Sequence, residues 1–433
     1  MFDEALLDDE EELARRDSDG LLWALATAGS QVRRAVETVG EFGLEALRSD
    51  TPPRALLVAT DAPPSVTVRV VTRLSCEATP ALAWHGVELP RWAGPADALL
   101  IGAVDGHHPR LAELAEQGAR RGLLMAVVAP AGSQVAAAAG RAPVHALPTG
   151  LNRRAFRWAV ITPLLQALDA LGVHAVPPGL LAAVADGLDQ TAEICRPGSD
   201  AFTNPAKALA LEFSDTLPVI AGAGALAGVA ARAIADALQT CAGAPAVSVS
   251  LPDGAGRAGA LLRGAGPSPA GYASTGGGTP TPAGYASVGG GTPTPAGYAS
   301  VGGGTPTPAG YASVGGGTPT PDRDFFRDRV EGAGPRRARL LVVGDDGAAD
   351  DPALGSRSGA QIQLDEVAAR RAASALHTLA RELGLRSSSV DVPPGPALVR
   401  FAAATAFGDF TASYLALGLG LDPGALGPAE RLH

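Results

Sequence analysis

The stretch LLIGAVDGHHPRLAELAEQ, residues 99–117, decides how the rest of the chain is read. An apolar run breaks into a short polar loop, and apolar residues then recur at helical spacing, so the pattern predicts a buried strand, a turn and a helix. In open α/β sheets the crevice at the carboxyl end of a strand is the usual ligand site. A helix N-terminus there suits an anion, because its free N–H groups and dipole favour negative charge. Yet this turn carries Asp105, His107, His108 and Pro109, where a phosphate-binding turn would carry glycines and hydroxyls.

The same cadence extends on both sides. Upstream, ALLVAT (residues 55–60) predicts a strand, and VTVRVVT (66–72) is read as a helix despite its β-branched residues. Downstream, LLMAVVA (123–129) predicts another strand, with the helix 111–121 between Pro109 and Gly122. Strand, helix and strand joined by short loops imply a parallel sheet. Residues 21–39 predict one packing helix, and further helices are expected at 154–171 and 178–194. A second cadence follows: helix 204–213, strand LPVIAG, helix 225–238, strand AVSVSLPD, strand 338–344, and helices at 366–383 and 397–418. Between them, residues 269–320 repeat PAGYAS[T/V]GGGTPT four times and carry four of the five tyrosines. So little apolar bulk cannot offset the entropy of ordering the backbone, and a flexible coil of this length spans roughly 40 Å. A disordered insertion at 264–322 is therefore expected, either as a tolerated surface expansion or as a site of tyrosine-mediated self-association.

Composition limits the function. The net charge is −10 and only one of the 34 basic residues, Lys207, is lysine. No basic stripe is present to release counterions from a nucleic acid, so nucleic acid is excluded as the main partner. Cys76, Cys195 and Cys241 are odd in number and lie far apart, as expected of small buried residues in a reducing compartment. The acidic start and the shortness of the most apolar stretch, 217–231, argue against secretion and membrane insertion. The expected location is cytoplasmic.

Three turns are candidate anion sites. ATDAPPSV (59–66) loses two N–H donors to Pro63 and Pro64. In the 99–117 loop, Asp105 would repel a phosphate by about 4 kcal/mol per charge pair at 4 Å and an effective dielectric near 20, offset only if His107 and His108 are protonated. Asp105 and His107 could also offer two metal ligands, but no third is evident, so no metal and no cofactor is expected. The third turn, IAGAGALAG (220–228), spaces Gly222, Gly224 and Gly228 as GxGxxxG before a strand that ends in Asp253. That spacing mimics a dinucleotide fingerprint, though close helix packing explains it equally well. His85, His145, His174 and His377 stand alone and are read as structural or exposed.

Several segments in their order resemble the bifunctional phosphoglucose/phosphomannose isomerases, built of two sugar isomerase (SIS) domains. They are LLDDEEEL with AGSQVR, ELPRWAGPADALLIG, LPTGLNRRA, NPAKALALE with LPVIAG, and FGDFTASYLALGLGLDP. The resemblance implies an α/β chain of two tandem SIS-type parallel-sheet subdomains, flavodoxin-like and three-layered. Residues 1–50 would form a helical lead, 51–195 the first subdomain, and 196–433 the second, with the insertion inside it. It also implies a homodimer. The family moves a proton between C1 and C2 of a hexose 6-phosphate, which needs a carboxylate base, an acid/base group and donors for the phosphate.

By that resemblance the serine- and threonine-rich phosphate loop falls on Ala103, Asp105, Gly106, His107 and His108, keeping only the glycine. The family arginine falls on Arg154. The base glutamate falls on Thr240, or on Gln239 one position earlier, the family histidine on Gly256, and the C-terminal lysine on His433. The expectation is a protein that binds a sugar phosphate or a partner enzyme through Asp105, Gly106, His107, His108 and Arg154 without isomerising. The alternatives are an active phosphoglucose/phosphomannose isomerase using replaced residues, and a nucleotide-binding module at Gly222–Gly228.

Overall fold

The computed structural model describes residues 2–61, 65–75, 79–150, 152–264, 337–344 and 359–425, with side chains from 364 onward in the last of these. The tyrosine repeats, Pro63, Pro64, Cys76 and His433 lie outside the described residues.

Among the described residues every strand runs parallel to its neighbours, and the strands form two sheets. The first sheet has the order β2-β1-β3-β4-β5, from β1 (Leu56–Thr60), β2 (Ala81–Ala83), β3 (Ala98–Gly102), β4 (Leu124–Pro130) and β5 (Val144–Leu147). The second has the order β7-β6-β8-β9, from β6 (Leu217–Ala223), β7 (Val247–Leu251), β8 (Ala338–Val343) and β9 (Ser387–Ser389). The helices are α1 (Glu10–Arg16), α2 (Leu21–Ala26), α3 (Ala28–Glu37), α4 (Val66–Leu74), α5 (Pro109–Arg121), α6 (Gln134–Ala138), α7 (Arg157–Ala170), α8 (Leu180–Ile194), α9 (Pro205–Phe213), α10 (Ala225–Ala242), α11 (Ala255–Gly264), α12 (Gly359–Glu382) and α13 (Ala397–Gly418).

A parallel sheet has helices on both faces, so its strands must be apolar throughout. Alternate residues of β1, β3 and β4 show how this is met. Leu56, Val58, Leu100 and Val128 join a central core, whereas Leu57, Ala59, Ile101 and Val127 pack under α5 and α6. In the second sheet Ile220 and Leu341 face the central core, and Val219 and Leu340 face α11 and α12. Both sheets thus turn one face to a common layer of helices that includes α7, α8, α10 and α13. This is the tandem α/β arrangement that the cadence predicts, with the layering that the resemblance implies.

Helix α4 forms where β-branched residues leave the sequence pattern open. Ser65 caps it, its Oγ accepting the Val68 N–H at 3.3 Å, and its spacing buries Val68, Val71 and Leu74. The single helix expected at 21–39 is instead two. At Thr27 the hydroxyl donates back to the Ala24 carbonyl at 2.7 Å, a local bond that competes with the helical ladder. Strands β2, β5 and β9 and helix α11 are additions to the sequence pattern, and α12 begins seven residues before the expected position 366.

The lone lysine ties the layers together. Lys207 is fully buried at the start of α9, and its Nζ donates to the carbonyls of Leu7 (2.5 Å), Pro197 (2.6 Å) and Ser199 (2.7 Å). It also lies 5.4 Å from the ring centroid of Tyr414 on α13. Burial lowers its pKa, and Asp8, Asp200 and Glu10 oppose that shift. Replacing it would strand the buried Leu7 carbonyl and the partly buried carbonyls of Pro197 and Ser199, each costing on the order of 1 kcal/mol. Lys207→Met should therefore lower the unfolding free energy by ~3 kcal/mol, read from the urea midpoint at constant m-value.

Candidate functional site

In the first sheet β1 and β3 are neighbours, with Thr60 opposite Gly102. Their following helices lead to strands on opposite sides, so the crevice beyond Thr60 and Gly102 is the topological switch point where ligands of such sheets bind. The Asp105 loop lies there, as the sequence predicts, but the chain's own groups occupy its donors. The Asp105 N–H donates to the Asp61 carboxylate at 2.7 Å. The His107 N–H donates to Asp105 Oδ1 at 2.9 Å, and the His108 N–H to the Asp105 carbonyl at 3.2 Å. Pro109 follows at the first helical position and has no N–H to offer.

Asp61 is the residue that the sequence reading passed over. It is buried, with Arg153 Nη2 at 3.5 Å from its carboxylate. Arg110 donates to the carbonyl of Thr60, beside it, and to that of Trp84 at 3.3 Å. Burial lowers the pKa of Arg110 and the charge of Asp61 opposes this. An acid directly after a buried strand was the available signal, and the two prolines drew attention from it. Gly106 has a packing role: a Cβ there would lie 2.3 Å from that of Ser133, and its carbonyl accepts the Val135 N–H at 2.9 Å.

The structure brings Arg154 and Thr240 together. Arg154 sits in the short turn before α7 and donates through Nη2 to the Thr240 carbonyl at 3.2 Å and to the Ala425 carbonyl at 3.3 Å. The Thr240 hydroxyl turns back to the Asp236 carbonyl at 2.8 Å, and Gln239 Nε2 donates to the Ala246 carbonyl at 2.8 Å. Gly256 is not part of this group. It lies on α11, on the face of the second sheet opposite α10, with open space where a side chain would stand.

A carboxylate does lie close by. Asp409 on α13 forms a two-pronged ion pair with Arg157, one arm at 3.0 Å. Burial raises its pKa, and Arg157 and then Arg154 pull it back. The pair ties α13 to α7. His145 and His174 are buried, and burial lowers the pKa of His145. Among the described residues no group of three or more His, Cys, Asp or Glu could hold a metal, and no helix is long and apolar enough to cross a membrane.

The glycines of the third turn divide by cause. A Cβ at Gly222 would lie 2.2 Å from the Ala227 carbonyl oxygen, and one at Gly228 would lie 2.6 Å from Ser250 Oγ, so both serve close packing. Gly224 differs, with φ 118° and ψ 173° and open space around its missing side chain. Asp253 stands exposed beyond the end of β7, the neighbour of β6.

Residues 202–258 match the model of the bacterial phospho-glucose isomerase C-terminal SIS domain. The match gives an SIS-type sequence to that stretch of the second half of the chain. Its fold is similar to that of a hypothetical protein from Thermus thermophilus, with a TM-score of 0.61 at 12% identity over 99% of this chain and 92% of that one. It is also similar to the C-terminal domain of glucosamine-fructose-6-phosphate aminotransferase from Francisella tularensis (TM-score 0.52, 8% identity, 94% and 96% covered). A third likeness is to tagatose-6-phosphate ketose/aldose isomerase from Escherichia coli (TM-score 0.50, 11% identity, 96% and 97% covered). No curated protein sequence matches the chain. At these identities the chain shares the fold of its neighbours, and its chemistry has to be argued from its own residues.

The Arg157–Asp409 pair makes a direct prediction. Arg157→Leu leaves a buried carboxylate without its partner, a change that costs about 3–5 kcal/mol. Asp409 then has a folded pKa still further above its unfolded value. Such a group makes stability fall as pH rises between the two values. The loss should therefore be larger at pH 8 than at pH 5 in urea unfolding.

Proposed function

We propose that this protein binds a sugar phosphate and does not isomerise it, acting as a binding or regulatory protein of sugar phosphate metabolism. The carrying observation is the contact between Arg154 and the Thr240 backbone. The family resemblance puts the arginine and the base carboxylate at these two positions. The side chain at the second is a hydroxyl already bonded to its own helix. A threonine cannot abstract a carbon-bound proton as a carboxylate does, and loss of a general base costs about 10²–10⁴ in rate.

Asp105, Gly106, His107, His108 and Arg154 are the proposed contacts for the sugar. The carboxylates of Asp61 and Asp105 suit hydroxyl donors better than a second anion. The proposal includes a homodimer in the cytoplasm, with a partner enzyme as the alternative target of the same surface.

The test is a coupled assay of the purified protein with glucose 6-phosphate and mannose 6-phosphate, beside a thermal-shift titration of both. Sugar phosphates should raise the melting temperature without turnover above the buffer background. A kcat in the ordinary enzyme range of about 1–10³ s⁻¹ would overturn the reading.

A further inference from the structure

The second sheet has a switch point of its own. Strands β6 and β8 are neighbours; the chain leaves β6 through α10 for β7 on one side, while β8 pairs with β9 on the other. Beyond their carboxyl ends lies a crevice lined among others by Gly224, Ala225, Gly344, Glu366, Arg370 and Arg400. Its charge balance differs from that of the first crevice, where Arg153 and Arg110 lie against Asp61: here two arginines face one carboxylate. Neither guanidinium pairs with a carboxylate among the described residues. Arg370 Nε donates to the Glu366 carbonyl at 3.4 Å, and Arg400 Nε is buried without a hydrogen-bond partner. A buried guanidinium nitrogen left unbonded is costly, and a bidentate oxyanion is the ligand whose shape meets that fork.

The backbone adds donors independently. Helix α10 runs for 18 residues, and its first turn has no side-chain cap. Its first internal bond of this kind is from the Gly228 N–H to the Gly224 carbonyl at 3.0 Å, so the N–H groups before it lack acceptors one turn back. The Gly224 conformation, far from the region open to other residues, keeps this end bare of any side chain. In the first crevice the matching donors are used by Asp61 and Asp105.

We propose that the crevice at the ends of β6 and β8 is a binding site for the phosphate group of a small organic phosphate, held by Arg370, Arg400 and the N-terminal turn of α10. The proposal rests on the reading above only in that the protein takes a phosphorylated ligand. The crevice is a second site, in the half of the chain away from the Asp105 loop. Sugar phosphates and nucleotides share the recognised group, and titration separates them.

The full-length protein is titrated with glucose 6-phosphate, ADP, inorganic phosphate and glucose, by calorimetry and by hydrogen exchange. At least one organic phosphate should bind, glucose should not, and exchange should slow in peptides covering Gly224–Gly228. Arg400→Gln and Arg370→Gln should each weaken binding at least tenfold, with Arg400→Lys recovering part of the loss. Arg232→Gln, an exposed residue of the same helix paired with Asp236, should change nothing. The exchange measurement needs no variant and decides the matter if a substituted protein fails to fold. Binding of inorganic phosphate alone, an adventitious ion only, overturns the proposal. So does binding that survives both glutamine variants, or that is lost in Arg154→Gln instead and protects the 105–108 loop; this last result leaves the proposed function standing. Binding of ADP but not of sugar phosphates does the reverse, as does isomerase turnover with Arg400-dependent binding.

Discussion

Helix α13 is buried along almost its whole length, and that burial governs the rest of the molecule. A helix surrounded by apolar neighbours has to pair the polar groups it carries inside the protein, and beyond Arg400 in its first turn it does so. The hydroxyls of Thr405, Thr411 and Ser413 turn back to carbonyls of their own helix at 2.9–3.0 Å. The Tyr414 hydroxyl donates to the Cys195 carbonyl at 2.6 Å, and the same ring lies beside the Lys207 ammonium. Asp409 takes Arg157. The helix that joins the two sheets is therefore fixed in rotation and register by directional bonds, while apolar contact supplies the bulk of the stabilisation.

The same constraint removes a catalytic option. A carboxylate next to the candidate arginine, with a raised pKa, has the first marks of a general base. Its partner decides otherwise, because a bidentate guanidinium fills the acceptor sites through which a base would reach a substrate. The first crevice repeats this logic on a smaller scale. Asp61 sits where a phosphate would be expected, and the loop closes on it as it would on an external anion. A phosphate entering there meets Asp61 and Asp105 together, at a cost of about 4 kcal/mol for each pair near 4 Å. Arg153 and Arg110 then neutralise Asp61 and are drawn away from any ligand.

The fold is legible in the sequence wherever burial imposes a strict pattern. The runs at β1, β3, β4 and β6 are apolar because both faces of each sheet are covered, and the helix expected at 397–418 has those bounds in the structure. The short edge strands β2, β5 and β9 are not legible, since three or four residues carry no usable period and Ser387–Ser389 has no apolar side chain at all. The loop positions can be read from the sequence but their partners cannot. Nothing in the sequence indicates that the Asp105 N–H meets a carboxylate 44 residues earlier, because long-range pairing is a property of the folded chain.

The two crevices share one topology and differ in what their side chains contribute. In each, neighbouring parallel strands part and a helix begins, so the backbone offers N–H donors to an anion in both places. Evolution of such a scaffold needs few changes to move a binding site. An acid placed after β1 satisfies donors of the first set from within, and Pro109 reduces their number. In the second half Gly224 leaves the helix end uncovered while Arg370 and Arg400 supply charge without a carboxylate partner among the described residues. The anion preference of the fold thus persists in this chain, with the open, positively charged crevice in its second sheet and a self-neutralised one in its first.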